Sequence, residues 1–153
     1  MDTAPARLEL RRTNRLLAGS GDPIWELRLQ LPEGRRHAFE ALVGRANRQL
    51  ANRHRLGSQA PLPPGRYQLG VVSALNREAE PELPVELGNL LWIGLVPQFR
   101  TDRLGLGIHH DPSAGRSSES GTDGCIGVIN ANDLISLAAL MGQHKPAELL
   151  VMH

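Results

Sequence analysis

Hydrophobic and polar positions alternate early in the chain. Leu8 and Leu10 stand between polar neighbours, and Trp25, Leu27 and Leu29 repeat the pattern beyond the turn cluster Gly19-Ser20-Gly21-Asp22-Pro23. Period-two alternation on both sides of such a turn predicts a half-buried hairpin. Over residues 35–56 the period changes: Phe39, Leu42, Val43, Ala46 and Leu50 fall at helical spacing. One apolar face at that spacing predicts an amphipathic helix. Its other face carries Arg35, Arg36, Arg45, Arg48, Arg53 and Arg55. A charge run of this kind serves either as a solvated face or as a dock for an anionic partner.

Gly57 ends that segment, and Pro61-Leu62-Pro63-Pro64-Gly65 makes a rigid turn into a strand marked by Tyr67, Leu69 and Val71. A loop rich in Pro and Glu runs through Pro81 and Pro84. Leu90 to Val96 is nearly all apolar, as expected of a strand buried on both faces. In Leu104 to His109 glycine alternates with Leu and Ile, and glycine inside a strand marks a close approach by a ligand or another backbone. Residues 111–121 form a long polar loop, of a length that is usually functional. A strand from Cys125 to Ile129 follows, then a helix from Leu134 to Met141 capped by Asn132 or Asp133, and a last strand within Ala147 to Met152. No repeat or boundary interrupts the 153 residues, so the reading is a single domain, mainly β with two helices, of α+β class.

Composition narrows the function. A formal charge of +1 and only two Trp, two Phe and one Tyr argue against a nucleic-acid partner. No apolar run approaches the ~20 residues of a transmembrane helix. Residues 1–15 are polar and arginine-rich, unlike a signal peptide. The single cysteine, Cys125, cannot form an internal disulfide, so it is either a small buried hydrophobe or a reactive thiol.

Its neighbours favour reactivity. Thr122-Asp123-Gly124-Cys125-Ile126-Gly127 places the thiol between glycines at the end of a flexible loop, where a substrate carbonyl could approach. Glycine at 124 also permits successive backbone N–H groups to converge on an oxyanion. A thiol with pKa of about 8.5 needs a base at neutral pH. Ile108-His109-His110-Asp111 offers two imidazoles, with His109 sixteen positions before Cys125. Zinc held by His109, His110, Asp111 and Cys125 is the weaker reading, because adjacent histidines on a strand point to opposite faces. No metal or other cofactor is expected.

The Ile108-His109 pair, the spacer and Thr122-x-Gly124-Cys125-Ile126 together resemble the signature of the L,D-transpeptidase (YkuD-type) catalytic domain family. Pro63-Pro64-Gly65-Arg66-Tyr67 is similar to the turn that leads into a strand before that family's active site, so the resemblance spans residues 61–141. It implies a mixed β-sandwich and attack on the third-residue carbonyl of a peptidoglycan stem peptide through a thioester, with the peptide as partner. It makes Cys125 the nucleophile, His109 the base, and the N–H groups of Gly124 and Cys125 the oxyanion hole. Thr122, Asp123, His110 and Gly127 become candidate substrate-binding positions. Asp123 stands where the family commonly has His or Arg, Gly127 where Arg or Asn is common, and His110 where Gly or Ser is frequent. The family acts in the cell envelope. Transfer to an amine and hydrolysis stay open, as do a secreted antibacterial effector with the same chemistry and a silent relative that only binds wall peptides or a partner.

Overall fold

The computed structural model describes residues 5–153, so the first four residues of the arginine-rich opening lie outside the described part. Eight strands follow in the chain: β1 (Arg7–Leu16), β2 (Pro23–Gln30), β3 (Arg36–Val43), β4 (Gly65–Ala74), β5 (Leu91–Pro97), β6 (Gly107–His110), β7 (Ile126–Val128) and β8 (Glu148–Val151). They close into a barrel in the order β1-β2-β3-β7-β6-β5-β4-β8. One α-helix, α1 (Ala131–His144), lies between β7 and β8.

The opening hairpin pairs Leu8 with Leu29 and Leu10 with Leu27, which puts all four side chains on the inner face. β8 closes the barrel by running parallel to β1, with Leu8 beside Leu149 and Leu10 beside Val151. Ile93, Ile108, Ile126 and Val128 complete the interior from the opposite wall. Each fully buried Leu or Ile contributes roughly 1.5–3 kcal/mol relative to exposure. Helix α1 is capped by Asn130, whose side chain accepts the Asn132 N–H at 2.8 Å, two and three residues earlier than the caps expected from sequence, Asn132 or Asp133. Its Leu134, Leu137 and Met141 join the same core against β6 and β7.

Two expectations are corrected. The architecture is a closed β-barrel with one α-helix, mainly β, and not a two-helix α+β sandwich. The amphipathic helix expected over 35–56 is instead β3, followed by a short 3-10 turn at Ala46–Arg48. Phe39 and Val43, four apart, satisfy period two as well as they satisfy a helix, and with Ala41 between them all three are buried. Pairing decides between the two periods, because β3 is hydrogen-bonded to β2 on one side and β7 on the other. Gly44, at φ 71°, then turns the chain, and a Cβ there would lie 2.8 Å from the backbone of Ala60 and Pro61. Leu50, expected on the apolar face, is fully exposed. β5 also departs from expectation: Ile93 and Leu95 are buried while Val96 is exposed, the alternation of a strand with one solvated face.

Among the described residues, no helix is long and apolar enough to cross a membrane.

Candidate active site

Cys125 sits at the entry of β7, at the end of a segment held by one hydroxyl. Thr122 Oγ1 donates to Cys125 O at 2.6 Å and accepts from the N–H groups of Gly44 at 2.8 Å and Gly124 at 3.2 Å. Thr122 N–H returns to Gly44 O at 3.1 Å, so the Cys125 loop and the β3 turn are clasped in both directions. Gly124 has φ 131°, which side-chain-bearing residues rarely adopt, and a Cβ there would run into the Arg103 guanidinium. The Gly124 N–H is engaged by Thr122. Of the two donors expected for an oxyanion, the one without a hydrogen-bond partner among the described residues is the Cys125 N–H.

The imidazoles separate as strand alternation requires. β6 runs parallel to β7 with His109 beside Gly127, which brings His109 to the end of the sheet where Cys125 enters. Ile108 is in the core, and His109 is 2% exposed, on the cleft side. His109 Nδ1 lies 2.8 Å from the carbonyl oxygen of His110. An Nδ1–H donated to that carbonyl leaves Nε2 as the lone-pair nitrogen. The ring stacks on Trp92, with centroids 6.1 Å apart and planes 15° from parallel. Gly107 makes room for this tryptophan, since a Cβ there would overlap the indole. The close approach signalled by glycine in this strand is therefore by the Trp92 side chain, and not by the ligand or backbone expected. His110 lines a different cavity, of about 260 Å³, with Asp111 and Arg116.

Cys125, His109 and Asp123 line one cavity of about 350 Å³, together with Trp92, Arg103 and Glu86. Its two loop walls are braced in the same way, by an arginine bonded to backbone carbonyls. Arg103 donates to Arg53 O at 2.8 Å, Pro61 O at 3.2 Å and Ala60 O at 3.0 Å. Arg77 donates to Leu83 O at 2.7 Å, Pro84 O at 2.7 Å and Gly88 O at 2.9 Å, which fixes the loop carrying Glu86. The Pro63-to-Tyr67 turn is closed by the buried Tyr67 hydroxyl, which donates to Pro63 O at 2.6 Å. A larger hollow of about 410 Å³, next to Arg45, contains neither Cys125 nor His109.

Burial pushes the Cys125 thiol up to about 11, with Asp123 and Glu86 adding to the rise and Arg103 opposing it. Burial also holds His109 below its ordinary value. The resting state is thus a neutral thiol, which donates to Gly105 O at 3.5 Å, and a neutral imidazole lining the same cavity, not a preformed thiolate. Asp123 and Glu86 lie within hydrogen-bonding reach of each other, and the shared hydrogen bond raises Glu86. Burial alone would raise Asp123, but the bonds from Glu86 and Arg45 hold it below the usual range.

The sequence-derived candidates therefore divide. Cys125, His109 and Asp123 meet at the cavity, whereas Thr122, Gly124, Gly127 and His110 do not line it. Thr122 and Gly124 shape the loop. Gly127 lies against Thr122 Cγ2 and Asp111 Cβ, 2.7 and 2.9 Å from where its own Cβ would stand, so no longer side chain fits there. Arg103, Trp92 and Glu86 had no signal in the hydrophobic pattern beyond the glycines that accommodate the first two. Among the described residues no group of three or more His, Cys, Asp or Glu is placed to hold a metal. Compared with family models, curated proteins and solved structures, the chain matches none.

Proposed function

We propose that the chain is a cysteine acyl-transfer enzyme acting on peptidoglycan stem peptides in the manner of an L,D-transpeptidase or L,D-carboxypeptidase. The observation that carries this reading is the shared cavity of Cys125 and His109, with His109 Nδ1 capped by the His110 carbonyl and Nε2 left over. Because the thiol pKa is high, His109 Nε2 takes the Sγ proton as Sγ attacks the carbonyl carbon, as a general base. The Cys125 N–H donates to the oxyanion. Collapse breaks the C–N bond, the departing amine receives the proton from Nε2, and a thioester remains on Sγ. An amine or water then attacks the thioester, and the thiol is restored.

Purified muropeptides incubated with the protein test this directly. Mass spectrometry is expected to show an acyl adduct on Cys125 and loss of the stem peptide's terminal residue. Cys125→Ala should remain folded and give neither. An adduct that persists in Cys125→Ala, or no change in any muropeptide, would refute the mechanism. The high thiol pKa also suits a second reading, a relative that binds wall peptides without turnover. That reading expects equal muropeptide binding by wild type and Cys125→Ala, with no adduct.

A further inference from the structure

The proposed chemistry depends on the orientation of His109, yet hydrogen bonding fixes that ring at a single atom. Nδ1 lies 2.8 Å from His110 O, and Nε2 has no partner among the described residues. A ring held through one atom can still tilt about that bond, so its plane needs a second constraint. The pairing of β5 with β6 supplies one. Ile93 stands opposite Ile108, and Gly94 opposite Gly107. Continued by one residue, the same register sets Trp92 opposite His109. Alternation sends the two isoleucines into the core and puts Trp92 and His109 together on the cleft side. Directly opposed side chains on antiparallel strands are the natural contact pairs of a sheet face. Here the rings meet face to face, 15° from parallel with centroids 6.1 Å apart, the geometry of an offset aromatic stack.

The indole has its own seat. Gly94 and Gly107 are register partners, and neither puts a side chain on the cleft face. A Cβ at Gly107 would lie 2.4 Å from Cζ2 and 2.5 Å from Cη2 of Trp92, and one at Gly94 would stand 3.7 Å from Nε1. The ring therefore occupies the space that this bare pair leaves. Trp92 is half-buried and stands apart from the apolar cluster that fills the barrel, so core packing does not account for its place. We propose that Trp92 is a positioning residue for His109: its indole face sets the plane of the imidazole and keeps Nε2 turned to the cleft that Cys125 lines. That Nε2 serves as the base rests on the acyl-transfer reading above; that Trp92 orients the ring does not. With Nδ1 on a carbonyl and one face on an indole, the imidazole has one orientation and one tautomer, and the base is in place before a substrate enters.

Two substitutions test this. Trp92→Leu removes the flat face and keeps apolar bulk, and Trp92→Phe restores a flat face; urea midpoints show that both are folded. Acylation of Cys125 is read with p-nitrophenyl acetate, where the Sγ–acyl bond forms as p-nitrophenolate leaves and Nε2 takes the thiol proton. The Cys125→Ala rate is subtracted. Trp92→Leu is expected to slow acylation by at least about tenfold, and by no more than the about 10²–10⁴-fold expected for His109→Ala. Trp92→Phe should recover most of the loss. In a His109→Ala background Trp92→Leu should cost nothing further, because it acts through the ring that has been removed. Nitrogen-15 spectra of the histidines give a readout free of turnover. His109 is expected as a single Nδ1–H tautomer in the wild type and in Trp92→Phe, and as a mixture in Trp92→Leu. With His109→Ala slow, a wild-type rate in Trp92→Leu, or an equal loss with and without His109, overturns the proposal, as does an unchanged tautomer. If His109→Ala acylates at the wild-type rate, the base assigned above falls instead, and the tautomer comparison alone decides whether Trp92 orients the ring.

Discussion

Replacing Thr122 by valine keeps the shape of the side chain and removes the hydroxyl that organises the Cys125 loop. Thr122 is 1% exposed, so water cannot replace the lost bonds. Three groups lose a partner: the N–H of Gly44, the N–H of Gly124 and the carbonyl of Cys125. Each unsatisfied buried group costs about 1–3 kcal/mol, and neighbours in one network do not add fully. Thr122→Val is therefore expected to destabilise the fold by about 3–5 kcal/mol, a large share of the ~5–15 kcal/mol of a typical domain. Thr122→Ser keeps the hydroxyl and loses only the methyl that packs on Gly127, which is worth about 1 kcal/mol. Urea unfolding followed by tryptophan fluorescence measures both. A loss under about 1 kcal/mol for Thr122→Val would show that the clasp does not hold this loop, and the account of the site would fail at its base.

His109→Ala should slow acylation of Cys125 by about 10²–10⁴-fold with the fold intact, whereas His110→Ala, which keeps the carbonyl that caps Nδ1, should do much less; a larger loss at 110 would reverse the assignment. Gly124→Ala should disrupt the site by forcing Arg103 off its carbonyls and straining φ, and wild-type labelling rates in that variant would refute the packing described. Iodoacetamide alkylation of Cys125 should still be rising at pH 10, because burial holds the thiol near 11; a plateau below pH 9 would contradict this. Burial raises Asp111 to about 6, so the folded state binds its proton more tightly than the unfolded state does. Its contribution is then fully present below the unfolded value near 4 and is lost as pH rises towards 6. The difference in urea midpoint between wild type and Asp111→Asn should vary across that window and be flat above about pH 7; a flat difference throughout would remove Asp111 as the cause.

The opening hairpin was legible because alternation, turn residues and alternation again admit one local solution. Residues 36–43 were not, because Phe39 and Val43, four apart, fit two periods, and the choice was made by β2 and by β7, which lies more than eighty residues on in the chain from β3. Barrel closure was equally hidden: the parallel pairing of β8 with β1 joins the two ends of the chain and leaves no local trace. Loss of the expected helix also changes what its arginines mean. Arg45 anchors Asp123, and Arg53 lies 5.7 Å from the Trp25 ring and bonds Leu62 O, so these two are not members of one solvated face.

At the site, the sequence carried the residues whose chemistry is rare and concealed those whose work is positional. A lone thiol between glycines and a histidine at a strand end stand out by type, and alternation alone sends His109 and Ile108 to opposite sides. Arginine is common in this chain, with nothing in its spacing to single out Arg77 and Arg103. Their function depends on backbone carbonyls turning inward, Arg53 and Ala60 of a distant loop towards Arg103, and Leu83 and Gly88 of its own loop towards Arg77. The glycines bridge the two kinds of information. Gly107 and Gly124 read in sequence as openings for a substrate, but the space they leave is taken by Trp92 and Arg103. Those two side chains in turn wall the cavity around the thiol, so glycine acts here at one remove: it admits the groups that, with Glu86 and Asp123, line the cleft.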